Sequence, residues 1–124
     1  MIDAKHIPAP TPARIAVEVP IRTVSESNSH EHWRYRATRA KRQRNAVAMM
    51  LSGRRMPPLP ARVTMTRLSP RQLDDDNLAG SMKATRDEIA RCLGIDDRDP
   101  RVKWVCEQQK ARGYAVRIEI ESAA

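Results

Sequence analysis

The chain has 124 residues, with 23 Lys plus Arg against 15 Asp plus Glu, a formal charge of +8 and a pI near 10.3. That length suits one domain with a modest core and is short for two, and the charge points to a polyanionic partner, nucleic acid first. The longest apolar run, residues 46–51, falls far below the ~20 residues of a spanning helix, so no membrane partner is expected. Residues 1–12, MIDAKHIPAPTP, hold three prolines and mixed charge, unlike a secretory signal. They read as a flexible arm ahead of a single domain over 13–124. Cys92 and Cys106 provide no disulfide framework, which places the chain in a reduced, cytoplasmic compartment. Trp33, Tyr35, Trp104 and Tyr114 are the only aromatic residues, little material for a base-stacking platform.

In chain order, Ile15, Val17 and Val19 alternate with more polar neighbours, predicting a first strand within 13–24 whose Pro20 marks an edge or bulge. From about 31 to 51, Trp33, Ala37, Ala40, Val47 and Leu51 recur at helical spacing. The opposite face of that helix carries Arg34, Arg36, Arg39, Lys41, Arg42 and Arg44, more positive charge than solubility requires. The break SGRRMPPLP ends the helix, and ARVTMTRLS at 61–69 predicts a second strand leading straight into aspartates. A second helix is predicted over 77–93, with Leu78, Met82, Ile89 and Leu93 on one stripe and Gly94 as terminator. Residues 102–108 and 114–120 read as two strands of a hairpin around an Ala-Arg-Gly turn. The expected fold is α+β: a small β-α-β-α-β-β mixed sheet with two helices.

Eight of the 15 acidic residues lie between Asp74 and Asp99, inverting the overall charge locally. One Asp or Asn suffices to cap a helix, and Asp96 to Asp99 before Pro100 also suits a solvated turn. Two clusters near predicted strand ends point further. Paired carboxylates supply the oxygen ligands that Mg²⁺ prefers while leaving water in place as a nucleophile. A helix of 77–93 spans roughly 24 Å, so the clusters meet only if the chain folds back. Lys83 lies two helical turns after Asp76 and either points back at the aspartates or pairs with Asp87 four residues on.

The sequence DDDNL at 74–78, then Lys83 and Asp87, then GIDD at 94–97, resembles RusA-type Holliday-junction resolvases, many of them encoded by phages or prophages. That resemblance covers much of the chain. It implies a homodimer of the β-α-β-α-β-β fold in which Asp74, Asp76 and Asp97 are catalytic, Mg²⁺-binding carboxylates, Lys83 the catalytic lysine and Asn77 the motif asparagine. Asp75 and Asp96 would support them, Asp96 as a further metal ligand. In the family pattern the lysine follows the asparagine by three residues; here Gly80 takes that place, as though Ala-Gly-Ser had been inserted in the first helical turn. Asn28 is a weak counterpart of a family asparagine before helix one.

Other sites fare worse. His30, His32, Cys92 and Cys106 lack zinc spacing, a calcium loop from Asp97 would put Arg101 and Val102 at its fifth and sixth positions, and the four glycines form no phosphate loop. The expected activity is structure-selective, Mg²⁺-dependent DNA cleavage, with Mn²⁺ as substitute metal, branched DNA as substrate and the six cations of helix one on its phosphates. A non-catalytic, phage-type DNA-binding protein on the same fold and a metal-dependent RNase remain open.

Overall fold

The computed structural model describes residues 12–24 and 33–124. The arm before residue 12, Asn28, His30, His32 and the expected start of helix one near 31 lie outside the described residues. The elements run β1 (Arg14–Val19), α1 (Trp33–Leu51), β2 (Ala61–Ser69), α2 (Asp75–Ser81), α3 (Lys83–Leu93), β3 (Val102–Lys110) and β4 (Ala115–Ser122). Four strands form one mixed sheet in the order β1-β4-β2-β3.

β2 sits inside the sheet and has a different partner on each side. It pairs antiparallel with β4, Ala61 opposite Ser122 through Leu68 opposite Ala115, and parallel with β3, Ala61 opposite Val102 through Ser69 opposite Lys110. β1 completes the sheet antiparallel to β4, with Val17 opposite Ile118 and Val19 opposite Val116. Val17, Val19, Val63, Met65, Ile118 and Ile120 point to one face and are buried there with Val47 and Leu51 of α1, Leu78 of α2 and Ile89 of α3. The other face of β1 and β4 is polar, with Arg14 reaching Glu119 at 2.6 Å and Glu121 at 3.2 Å. Alternation at period two sorts the strands in this way.

Two expectations need correction. β3 and β4 do not form a hairpin: β2 lies between them, and the four-residue link passes its end, where the Ala111 amide donates to the Ser69 carbonyl at 3.0 Å. A tight two-residue hairpin needs positive φ, and among the described residues only Gly53 and Gly94 have it, so Gly113 makes no such turn. The expected single helix over 77–93 is also two helices, giving three among the described residues. α2 stops at Met82, and Ala-Gly-Ser forms its last turn rather than the first. Ser81 Oγ donates back to the Leu78 carbonyl at 2.7 Å, a bond that competes with the helical ladder, and Gly80 weakens helix propensity beside it. Fully buried Met82 then anchors the break. α3 ends as expected at Gly94, with φ 73°: the Ile95 amide returns to the Ala90 carbonyl at 3.0 Å and the Gly94 amide to Arg91 at 3.0 Å, satisfying carbonyls of the last turn.

α1 departs from expectation in its first half. Gln43, Val47 and Leu51 form its buried stripe, while Trp33 and Ala37 are exposed. Residues 33–38, in its N-terminal half, are exposed.

Arg67 shows how polar the end of β2 is. This residue is only 6% exposed. Its Nε donates to Thr23 Oγ1 at 3.0 Å, Nη2 to the Thr23 carbonyl at 3.3 Å and Nη1 to the Arg71 carbonyl at 2.6 Å. Burial pulls its pKa below the usual arginine value, and the three acceptors offset that desolvation. Arg67→Ala leaves those acceptors without their donor, and a loss of about 2–4 kcal/mol in urea unfolding is expected; a change below about 0.5 kcal/mol would contradict this role.

Candidate metal and nucleic-acid site

The link from β2 to α2 carries the first acidic cluster and is braced from three sides. Arg67 holds the Arg71 carbonyl, and Ser69 Oγ accepts the Arg71 amide at 3.2 Å. Gln108 of β3 closes a reciprocal pair with Leu73, its Oε1 accepting the Leu73 amide at 2.9 Å and its Nε2 donating to the Leu73 carbonyl at 2.6 Å. The next residue is Asp74. Side chains locked this way can hold a site to the tolerance that chemistry requires. Neither Arg67 nor Gln108 carried a functional reading in the sequence. The available signal was a charged and an amide side chain at inward positions of otherwise alternating strands.

Asp74 is the N-cap of α2, and its Oδ1 accepts the Asn77 amide at 3.0 Å. Its other carboxylate oxygen has no capping role. Asp75 and Asp76 occupy the first turn, and all three aspartates are exposed. Exposed hard oxygen donors at a braced strand end fit Mg²⁺, which takes one or two protein carboxylates and keeps several waters. Asp74 and Asp76 are the residues that would hold it.

The second cluster is built differently. Asp96 Oδ1 accepts the Arg98 amide at 2.8 Å. This bond, and then a hydrogen-bonding contact with the Asp97 carboxyl, holds the Asp96 carboxyl below its ordinary value. Asp97 leans on α3: its carbonyl accepts from Arg86 Nη2 at 2.9 Å, while its Oδ2 stands 3.9 Å from Arg86 Nε. Arg86 lies over the Trp104 ring at 4.9 Å. Because β2 and β3 are parallel, the Asp74–Asp76 group follows the end of one strand while the Asp96–Asp99 loop precedes the start of the other. Among the described residues, no three His, Cys, Asp or Glu side chains gather into a group that could hold a metal ion. Asp74 and Asp76 are near each other through their adjacency in sequence at the start of α2, and the structure does not bring Asp97 or Asp96 to them.

Lys83 and Asp87 line a cleft of about 320 Å³ between α1 and the α2–α3 pair, facing Arg36 and Arg44, with Gly80 and Ser81 at its edge. Asp76 lies one helical turn before Gly80 at the edge of the cleft, and none of Asp74, Asp75 and Asp76 lines it. Lys83 is exposed and no ion pair within 4 Å joins it to Asp87 among the described residues.

The six cations of α1 do not share one face. Arg36 and Arg44 turn to this cleft, Arg39 and Arg42 turn to a larger groove on the other flank, and Arg34 lies over the Trp33 ring at 5.5 Å. Lys41 is exposed. The N-terminal half of α1 is thus basic on several sides. Cys92 and Cys106 are half-buried free thiols whose pKa burial pushes up, and neither enters the site. Among the described residues no helix is long and apolar enough to cross a membrane.

No protein-family model matches this sequence, and no curated protein matches it.

Asp99 stabilises the second loop. The Arg101 side chain, bonded at 2.7 Å and 3.0 Å, and then the Arg101 amide hold its carboxyl down to about 2. A carboxyl depressed in the folded state contributes stability that is present above its unfolded value near 4 and lost as pH falls toward 2. Asp99→Asn is therefore expected to lower stability at neutral pH and flatten the acid limb of a urea-unfolding series, while an unchanged limb would show that the Arg101 pair contributes nothing.

Proposed function

We propose that this chain is a structure-selective, metal-dependent DNA endonuclease acting on branched DNA such as four-way junctions. The observation that carries the reading is the braced, exposed Asp74–Asp76 cluster at the start of α2, one helical turn before Gly80 at the edge of a cleft lined by Lys83, Arg36 and Arg44. Carboxylates for a hard cation thus lie beside cations for phosphate, on a basic protein. The resemblance of DDDNL, Lys83, Asp87 and GIDD to RusA-type resolvases supports the same reading.

In this reading Arg36 and Arg44 bind the substrate phosphates and Lys83 stabilises the charge that develops on the phosphodiester in the transition state. Asp74 and Asp76 hold Mg²⁺ or Mn²⁺, which when bound supplies Lewis-acid polarisation and an acidified water. Asp97 and Asp96, at the opposite end of the parallel β2–β3 pair, lie apart from that centre, with Asp97 beside Arg86. The 3.9 Å separation between Arg86 Nε and Asp97 Oδ2 is longer than a hydrogen bond, so that carboxylate is not committed to the cation. Arg34, Arg39, Lys41 and Arg42 extend the phosphate surface along α1. A two-fold homodimer presents paired sites that match the pseudo-symmetry of a four-way junction, and such a protein works in the cytoplasm.

One observation favours a second reading, a DNA-binding module without catalysis: Asp74, Asp96 and Asp99 all have structural hydrogen bonds. Cleavage of a labelled four-way junction beside a linear duplex decides between them. Symmetric nicking of the junction in Mg²⁺, none in chelator, and loss of nicking to background in Asp76→Asn with junction affinity kept within about twofold are expected. Binding without nicking in Mg²⁺ or Mn²⁺ would select the second reading. Affinity is also expected to fall steeply with salt, and Lys41→Gln to reduce the log–log slope by about one; salt-independent binding would remove α1 from the interface.

A further inference from the structure

α1 stands between two hollows. The cleft with Lys83 lies on one flank, and on the other a groove of about 810 Å³ opens between α1 and the segment that follows β1. Pro20, Ile21 and Arg22 form its far wall, while Tyr35, Arg39 and Arg42 form the helical wall. Tyr35 to Arg39 is four residues and Arg39 to Arg42 three, so the ring and both guanidinium groups share a helical face. Among the described residues no carboxylate lines the groove.

The groove is preformed. Gln43 Nε2, from the buried stripe of α1, donates to the Arg22 carbonyl at 3.3 Å. The Arg22 guanidinium lies over the Tyr114 ring at 4.3 Å, and Arg67 holds the neighbouring Thr23 through both its carbonyl and its hydroxyl. Tyr35, in contrast, is 67% exposed. A large aromatic ring left in water on a cationic helix, opposite an apolar wall, finds no stacking face on a duplex backbone, which presents sugars and phosphates. A flat base attached to a phosphate suits all three features, because every base has a face that stacks on an aromatic ring and arginines take the charge. The volume falls within the ~300–1,000 Å³ of sites that enclose small molecules.

We infer that this groove holds one unpaired nucleotide of a DNA strand, its base between Tyr35 and the Pro20–Ile21 wall and its phosphates on Arg39 and Arg42. The inference rests on the nucleic-acid reading above. It adds a specificity device: an α-helix is about 10–12 Å across, so the captured nucleotide and the cleft carrying Lys83 lie about one helix diameter apart, with Gln43 lining both. A branch point offers loosened bases to such a groove, whereas a continuous duplex keeps its bases stacked.

The test is fluorescence anisotropy of the full chain, in chelator, with a labelled oligothymidylate and separately with a blunt duplex. Tyr35→Ala is expected to weaken oligothymidylate binding about tenfold and to leave duplex binding within about twofold, Tyr35→Phe to restore it, and thymidine monophosphate to compete better than inorganic phosphate. An unchanged oligothymidylate affinity in Tyr35→Ala, an equal loss on duplex and single strand, or phosphate competing as well as the nucleotide would each overturn the inference. Circular dichroism confirms that the variant is folded. Chelator keeps the assay independent of cleavage, so Tyr35-dependent binding by a protein that nicks no junction would leave the groove standing and remove the nuclease.

Discussion

β2 is hydrogen-bonded on both sides, and its parallel bonds to β3 set the geometry of everything charged around it. A parallel neighbour cannot be reached by a tight turn; the chain must travel back along the sheet, here through α2 and α3. The link that leaves β2 therefore carries Asp74, Asp75 and Asp76 at one end of the strand pair, and the link that enters β3 carries Asp96, Asp97 and Asp99 at the other. The crossover helices cover the buried face of Val63 and Met65 together with α1, which they meet across the cleft that Lys83 and Asp87 line. Core packing and placement of the acids thus follow from one pairing.

Local hydrogen bonds then decide how freely each acid can act. Arg67, Ser69 and Gln108 fix the backbone before Asp74, so the first cluster is rigid in position while its carboxylates stay in solvent. The second cluster is the reverse. Asp96 and Asp99 spend their oxygens on the loop itself, and Asp97 is steered by Arg86, which also stacks on Trp104. A basic protein that keeps a braced, exposed carboxylate cluster beside a cationic cleft has the electrostatics a metal bridge to phosphate needs, since the cation relieves the repulsion between carboxylate and phosphodiester.

Much of this was legible in the residues. β2 occupies the 61–69 span expected from its alternation, Gly94 ends α3 with the positive φ that its identity suggests, and DDDN caps a helix. What failed was non-local or depended on one competing bond. Strand alternation in 102–108 and 114–120 reveals which side chains face the core but not which strand lies next door, so a link of Ala111 to Tyr114 could be read as a hairpin although it steps over β2. The helix break at Met82 arises from Ser81 bonding its own turn, which the apolar stripe hides. Period alone also put Trp33 and Ala37 inward, whereas the structure exposes them and leaves scarce aromatic residues at the surface.

The central claim is that the end of β2 is a metal centre. Amide line broadening during a Mn²⁺ titration tests it directly, because the paramagnetic ion reports its own position. Selective broadening of residues 74–78 at low metal, absent in Asp76→Asn, is the result expected. Broadening confined to the 96–99 loop, or spread evenly over exposed carboxylates such as Glu121, would contradict a metal site at Asp74 and Asp76 and leave the acids as caps.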